Sequence, residues 1–520
     1  MKQAIHKRLY HWHSKIGVAL ALFMLALCLT AIPAIYLDDI GDWLMPQAAE
    51  QTHDLTLEQW VDRGAQTLPL YKQEFHLELN QATPVFWLKH EGVNTAFVAQ
   101  DNGVFTPHSG AAATRTLAHA HYDFLLPGPY GEYVVGVIGL AALTIMLMGV
   151  FLHRKWRSEA TVLRPRRSRR LWLSDLHKVL GLWLLPFHLI MTYTGAVLGL
   201  GGLLLIVAAY SAFNGDKQAA IEAIIGKAPV LTQQACPPQS LDTLATKSRD
   251  YWANLYGDSV LLEVEVEGLG DCQGVATFAS EIPGYLLLEN AITFSLTTGE
   301  IQTVVDWVPA SFGERWYAFI GPLHFGNFAG YVSKALYAVS ALLLALLCVS
   351  GLLVWLSKRH PSLQRKASFV STLHEQLTVP WVRALLSLVS AIALATVSVL
   401  LCAKFLPLLD WPYANRYQPA FFTWVYALAF SSLFLLAWWR AAALPWSLAL
   451  NCFGFILTPV ASWIVYGIRL DHAALELTLL AVGVFSGYCT FKYYQTAKTH
   501  HASATTTANT VNKTDLSNVA

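Results

Sequence analysis

Long apolar runs alternating with mixed segments set the plan of this chain. Eight stretches are apolar over the roughly 20 residues needed to cross a hydrocarbon core: 15–37, 132–153, 179–209, 332–356, 382–406, 420–439, 445–468 and 473–493. A long polar segment separates the first span from the second, and another the third from the fourth. After Trp381 the spans follow one another with tight connections. Inside the polar segments the period changes. Leu55 to Leu70 carries apolar positions at helical spacing, and the short alternating runs FHLELN, PVFWLKHEG and NTAFVAQDNG follow, each bounded by turn residues. The second segment repeats the order: SLDTLATKSRDYWANLYG reads as a helix, and VLLEVEVEG, GVATFAS and AITFSLTTGE read as strands. The pattern predicts an α-helical polytopic membrane protein with two small α+β modules outside the membrane.

Composition agrees with that plan. With 55% hydrophobic and 13% charged residues, the chain is too apolar for one soluble domain. A net charge of +1 gives no reason to expect a nucleic-acid partner. Its distribution matters more. Lys2, Lys7, Arg8 and Lys15, the segment from Arg154 to Arg170, and Lys358 to Lys366 are basic, and the positive-inside rule makes them cytoplasmic. Eight spans then place both termini in the cytoplasm and both modules on the outer side, periplasmic if the cell has two membranes. The first apolar stretch follows a basic start, as in a signal peptide, but its length argues for a retained span.

An internal repeat comes next, because repeats govern fold assignment. Tyr10 to Ala31 and Leu171 to Gly195 both read His, three residues, Gly, twelve residues, Thr: His13, Gly17 and Thr30 match His177, Gly181 and Thr194. Ala118 to His153 and Gly321 to Trp355 make a looser pair, each a histidine, a glycine-bearing turn and an apolar span ending near Gly149 or Gly351. The unit is helix, polar module, helix, and it occurs twice. The expected divisions are 1–37 (first helix), 38–131 (first module), 132–209 (second and third helices with a basic loop), 210–331 (second module), 332–380 (fourth helix and basic loop), 381–495 (four further helices) and 496–520, a Ser/Thr/Ala-rich tail read as disordered.

Neither module shows a nucleophile-plus-base set, so no catalytic residue is assigned. His53, His76, His90 and His108 of the first module read as surface histidines. Cys236 and Cys272 share the second module and can form a disulfide there, although spacing does not fix the pairing. Cys28, Cys348, Cys402, Cys452 and Cys489 lie in apolar spans as small hydrophobes.

The histidines at membrane depth carry the candidate chemistry, since ligand-forming side chains there are costly. His13 and His177 begin the first and third helices; His121 and His324 precede the second and fourth. The repeat thus yields two pairs, one near each face, and opposed neutral imidazoles are what a six-coordinate b-type haem requires. Gly17, Gly181, Gly131 and Gly330 would let a flat macrocycle approach the backbone. A lone histidine at an interface more often caps, snorkels or binds a headgroup; four tied to one repeat are harder to explain so. His153 and His188 are lesser candidates. On a continuous helix His188 lies about 16 Å beyond His177 and within about 20° of the same face, so it could replace His177, as His153 could replace His13. No Cys-x-x-Cys-His occurs, so covalently attached haem is not indicated.

The HSKIG and HKVLG helix starts, the LHFG segment and the FSLTTGE end of the second module together resemble the PepSY-associated transmembrane family over about residues 1–360. That family includes haem-containing ferric-siderophore reductases of the bacterial inner membrane. The resemblance makes 51–110 and 239–305 PepSY-like modules, carries His13, His121, His177 and His324 over as recurring histidines, and gives the last four helices no role. It implies two haems b passing electrons from a cytoplasmic reduced flavin, nicotinamide-dependent reductase or quinol to a ferric siderophore or another iron complex outside. Asp123 and Asp175, two residues from proposed ligands, would then support them, or would simply be capping carboxylates. No GxGxxG occurs, so a nicotinamide would act through another protein. Two other functions share these features: a membrane-anchored PepSY regulator or inhibitor of peptidases without redox activity, and a quinol-linked haem oxidoreductase with a different acceptor.

Overall fold

The computed structural model describes residues 2–44, 55–71, 73–79, 84–90, 93–99, 104–107, 109–153, 156–164, 168–225, 227, 229–360, 377, 379–405 and 414–517. His53 and His108, and the basic segment beyond residue 360, lie outside these residues. Among the described residues seven helices are long and apolar enough to cross a membrane, and a bent pair makes an eighth. The protein is a multi-pass membrane protein.

The first of these helices is α1 (Lys2–Ile35), followed by the short α2 (Leu37–Leu44). After the first module come α4 (Ser109–Tyr122), α5 (Tyr130–Leu152) and the short α6 (Trp156–Glu159). His121 therefore closes a helix of its own, α4, instead of standing in a turn. The third span is broken: α7 (Arg169–Trp183) and α8 (Leu185–Gly199) meet at 71°. Pro186 sits at the start of α8, where it cannot donate to the preceding turn and its ring crowds that turn. The continuous helix expected over 179–209 is thereby corrected, and with it the placing of His188 on the face of His177. The chain then runs through α9 (Gly201–Ala212) and α10 (Lys217–Ile225) into the second module, and leaves it through α12 (Phe312–Phe325) and α13 (Gly330–Ser357). α1 packs on α5 and α13, α7 on α13, and α5 on α8. The α5–α8 contact is close enough that a Cβ on Gly136 would lie 2.8 Å from the carbonyl carbon of Gly199, so only glycine fits there.

The two modules do not stand apart. β1 (Glu74–Glu78), β2 (Val85–His90), β3 (Val93–Ala99) and β4 (Phe105–Pro107) join β5 (Val260–Glu267), β6 (Val275–Glu281), β7 (Asn290–Ser295) and β8 (Ile301–Val305) in one antiparallel sheet of order β4-β3-β2-β1-β5-β6-β7-β8. The seam is β1 on β5, with Phe75 opposite Val266 and Leu77 opposite Val264. Each half alone would leave an edge with unpaired backbone groups; pairing removes it. Alternation sends Phe75, Leu77, Val264 and Val266 to one face, where Trp60 of α3 (Leu57–Thr67) and Trp252 of α11 (Leu241–Tyr256) complete a single core.

Cys236 and Cys272 are bonded, closing a sequence separation of 36 residues. A loop of this size stabilises by about 3–4 kcal/mol on chain-entropy grounds. In the Cys236→Ser/Cys272→Ser variant the infrared β-sheet band, which reports the sheet within a helical protein, should therefore melt earlier than in wild type.

The opposite face of the seam is acidic. His76 Nδ1 donates to Glu263 Oε1 at 2.8 Å, and its Nε2 stands 3.6 Å from both Glu74 and Glu265. His76 is thus no isolated surface histidine. The hydrogen bond to Glu263 raises its pKa to about 9, against the opposing effect of burial; Glu265, Glu263 and Glu74 add to the rise. Glu78 and Glu267 share this face of β1 and β5. Because the folded value exceeds the unfolded one, this contribution is complete below the unfolded pKa of about 6.5. It is lost as pH rises through 9. In metal-free buffer the sheet's melting midpoint should fall from pH 7 to pH 10 in wild type and stay flat in His76→Phe.

The last four helices are α14 (Pro380–Phe405), α15 (Ala414–Trp439), α16 (Leu444–Tyr466) and α17 (Ala473–Ser517). They dock on the earlier helices through α14, whose Leu388 and Ile392 share a core with Leu25 and Leu344. Two buried polar side chains, Lys404 and Glu476, reinforce the docking through Trp43. Lys404 donates to the Trp43 carbonyl and lies 4.2 Å over the Trp43 ring, while Glu476 accepts from Trp43 Nε1 at 3.1 Å and Trp463 Nε1 at 2.5 Å. α17 continues through 496–517, where composition alone predicts a disordered tail. Extending a formed helix carries no nucleation cost.

Candidate functional site

The first histidine pair lies within helices, His13 in α1 and His177 in α7, each four residues before a glycine, Gly17 or Gly181. His13 Nδ1 lies 3.2 Å from the Ile145 carbonyl of α5, and His177 Nδ1 lies 3.0 Å from the Leu347 carbonyl of α13. A carbonyl only accepts, so Nδ1 carries the proton in each ring and Nε2 keeps its lone pair. The ring centres are 6.3 Å apart with planes at 72°. The surroundings correspond as well: Ile145 precedes Gly149 by four residues, Leu347 precedes Gly351 by four, and each glycine faces the imidazole edge. A Cβ on Gly149 would stand 3.4 Å from His13 Cε1, and one on Gly351 2.8 Å from His177 Cε1.

These rings line a cavity of about 380 Å³. Val18, Met24, Leu347 and Leu352 make it apolar, whereas Lys178 and Lys358 give it a basic rim. Gly17 and Gly181 line it too, and Gly17 has nothing within 4 Å of a built Cβ. Gly131 and Gly330 do other work. A Cβ on Gly131 would meet the Asp123 carbonyl at 2.1 Å, and Gly330 needs a positive φ of 55° at the turn into α13.

The second pair occupies the sheet-bearing end of the bundle. His121 Nδ1 lies 3.1 Å from the Leu27 carbonyl and 3.3 Å from Thr30 Oγ1. His324 Nδ1 lies 2.8 Å from Thr194 Oγ1. Each hydroxyl spends its hydrogen on its own helix, Thr30 on Ala26 at 2.9 Å and Thr194 on Ile190 at 2.7 Å. Both threonines must therefore accept from Nδ1–H, which again leaves Nε2 available. The repeated threonines are acceptors that set a tautomer. Sequence spacing marked them without revealing this.

Residues 10–358, which contain all four histidines and the sheet, match the family model of the PepSY-associated TM region. The chain belongs to the PepSY-associated transmembrane family. An uncharacterised protein of Pseudomonas aeruginosa is 27% identical over 388 residues, covering 71% of this chain and 91% of the relative. Helices α14 to α17 lie beyond the family match.

In this family member the remaining candidates separate from the two pairs. His188 is fully buried on α8 with neither ring nitrogen hydrogen-bonded, and it does not line the cavity. His153 does line it, at the end of α5, with a buried, unpaired Nε2. Asp123 accepts from His119 Nδ1 at 2.7 Å and not from His121. Asp175 is held by Arg164 through two bonds of 2.6 and 2.8 Å, and Lys178 stands 3.2 Å from it. Neither acid touches the histidine two residues away. Asp175 instead anchors the basic loop and one rim lysine.

Proposed function

We propose that this protein carries electrons across a bacterial inner membrane through two b-type haems and reduces a ferric siderophore, or another ferric complex, on the side that bears the sheet. The observation that carries this reading is the matched state of four imidazoles: His13, His177, His121 and His324 each commit Nδ1–H to an acceptor and leave Nε2 as a donor to a metal. His13 and His177, whose ring centres stand 6.3 Å apart beside the apolar cavity, would hold the iron of one haem. The apolar cavity and its basic rim suit a macrocycle that carries carboxylates on one edge. Haem, when bound, supplies one-electron redox chemistry.

What the chain's own residues do follows from their surroundings. The Ile145 and Leu347 carbonyls and the Thr30 and Thr194 hydroxyls orient the four rings and raise their basicity. The apolar walls exclude water. On this reading the chain is a duplicated unit of helix, PepSY module and helix, with basic segments and both termini cytoplasmic, where a reduced flavin, a nicotinamide-dependent reductase or a quinol donates. One electron converts Fe(III) to Fe(II) in the acceptor, which hard siderophore oxygens hold less well.

The test is a reduced-minus-oxidised visible spectrum and a haem count on protein made under haem-replete conditions and purified in detergent. Two haems b per chain, reoxidised by a ferric siderophore, is the expected result. Protein without haem would overturn the reading and favour the peptidase regulator. Haem reoxidised by other acceptors but by no ferric complex would favour the quinol-linked alternative.

A further inference from the structure

We propose that His76, Glu74 and Glu265 form a binding site for one divalent first-row transition-metal ion, on the face of the sheet where the two modules join. The site is separate from the four membrane histidines and stands whether or not these hold haem. Its parts come from both halves of the chain: Glu74 and His76 lie on β1, and Glu265 pairs directly with His76 from β5.

The geometry is that of a ligand set closed around a small volume. His76 Nε2 is 3.6 Å from Glu74 Oε1 and 3.6 Å from Glu265 Oε1, and all three ligand atoms lie within 4.8 Å of one another. Bonds of about 2.0–2.1 Å at tetrahedral angles place neighbouring ligand atoms about 3.4 Å apart, so an ion needs only small side-chain movements to enter. The ring is already aimed. Glu263 accepts from Nδ1 at 2.8 Å, which directs Nε2 between the two carboxylates in the carboxylate–histidine–metal arrangement typical of such sites. The fourth position is left to water.

The donor types narrow the ion. One imidazole and two carboxylates, with no thiolate, suit Zn²⁺, Mn²⁺ or Fe²⁺ and not Cu⁺. Among the described residues the free cysteines all lie in membrane helices, and Cys236 and Cys272 are consumed in their disulfide. An ion here would also clamp β1 to β5, since its ligands belong to strands that meet only at the seam.

Calorimetric titration of the full-length, chelator-treated protein in detergent with Zn²⁺ tests this, with Mn²⁺ as a second probe. The expected result is one saturable site per chain, weakened at least tenfold by Glu265→Gln and by His76→Gln and unaffected by Glu281→Gln at the exposed end of β6. X-ray absorption of the Zn²⁺ form should show one imidazole nitrogen with oxygen ligands and no sulfur. Glu265→Gln is isosteric, so it carries the test if His76→Gln fails to fold. Equal affinity in wild type and Glu265→Gln, absence of saturable binding, or a sulfur-containing or oxygen-only shell would overturn the proposal. Haem content does not enter either readout, so this result is independent of the electron-transfer reading.

Discussion

On the proposed function, replacing His177 with alanine should remove one of the two proposed haems and stop electron flow across the membrane. The hydrocarbon core is about 30 Å thick, and the proposed pairs lie toward opposite ends of the bundle, so neither alone connects the two sides. Within its pair His177 Nε2 has no substitute, since His13 is held by Ile145 and presents a single free nitrogen. His153 lines the same cavity with an unpaired Nε2; it is removed as well in His153→Ala/His177→Ala, where the loss should be complete. His324→Ala should remove the other haem with the same outcome. His188→Ala should keep both haems, since that ring lies off the cavity. Haem per chain, read with the reduced spectrum, separates these cases. Electron flow follows from proteoliposomes with an impermeant reductant on one side and a ferric chelate on the other. A His177→Ala protein that kept two haems with unchanged spectra would remove His177 from the ligand set.

Much of this arrangement was legible in the sequence, for physical reasons. Apolar runs of membrane length mark spans whatever packs around them, and the His–Gly–Thr spacing of Tyr10 to Ala31 and Leu171 to Gly195 is a local feature that survives folding. Three strands of each module were legible too, because turn residues bound them and their alternation is short-range; the short outer strands β4 and β8 were not, since each pairs on one side only. What escaped depends on contacts distant in sequence or on one residue's backbone chemistry. The bend before α8 follows from Pro186 within an otherwise apolar run, which hydropathy reads as continuous. The joining of the two modules into one sheet depends on β1 meeting β5, almost 190 residues later, which no local pattern specifies. His76 was read alone as a surface histidine; the alternating glutamates of EFHLE and VLLEVEVE were the available signal, and they acquire meaning only once the strands are paired. Asp123 and Asp175 fit the capping reading better than the support reading that their nearness to His121 and His177 also allows: Asp123 accepts from the Leu125 N–H and His119, and Asp175 from Arg164.

Gly351→Ala should weaken haem binding at the His13–His177 pair about 10–100-fold, the range seen when groups that orient a metal ligand are disturbed, while the other haem is retained. The added methyl would stand 2.8 Å from His177 Cε1 and 3.1 Å from Nδ1, too close for a rigid ring to stay in place. The ring cannot yield without cost, because Nδ1 is tied to the Leu347 carbonyl one turn earlier on the same helix as Gly351. Turning the imidazole away would break the bond that fixes its tautomer and would move Nε2. Gly149→Ala should have a smaller effect, its methyl lying 3.4 Å from His13 Cε1. Gly181→Ala should have almost none through the ring, because its methyl would make an ordinary 3.6 Å contact with Leu347 Cδ1. Titrating haem-depleted variants with haem gives the order directly: Gly351→Ala weakest, then Gly149→Ala, then Gly181→Ala near wild type. This order follows distance to the imidazole and not glycine's general helix penalty, which all three substitutions relieve alike. Equal affinities across the series would mean that imidazole placement does not govern binding, and that the cavity's apolar walls and the basic rim at Lys178 and Lys358 hold the macrocycle by themselves.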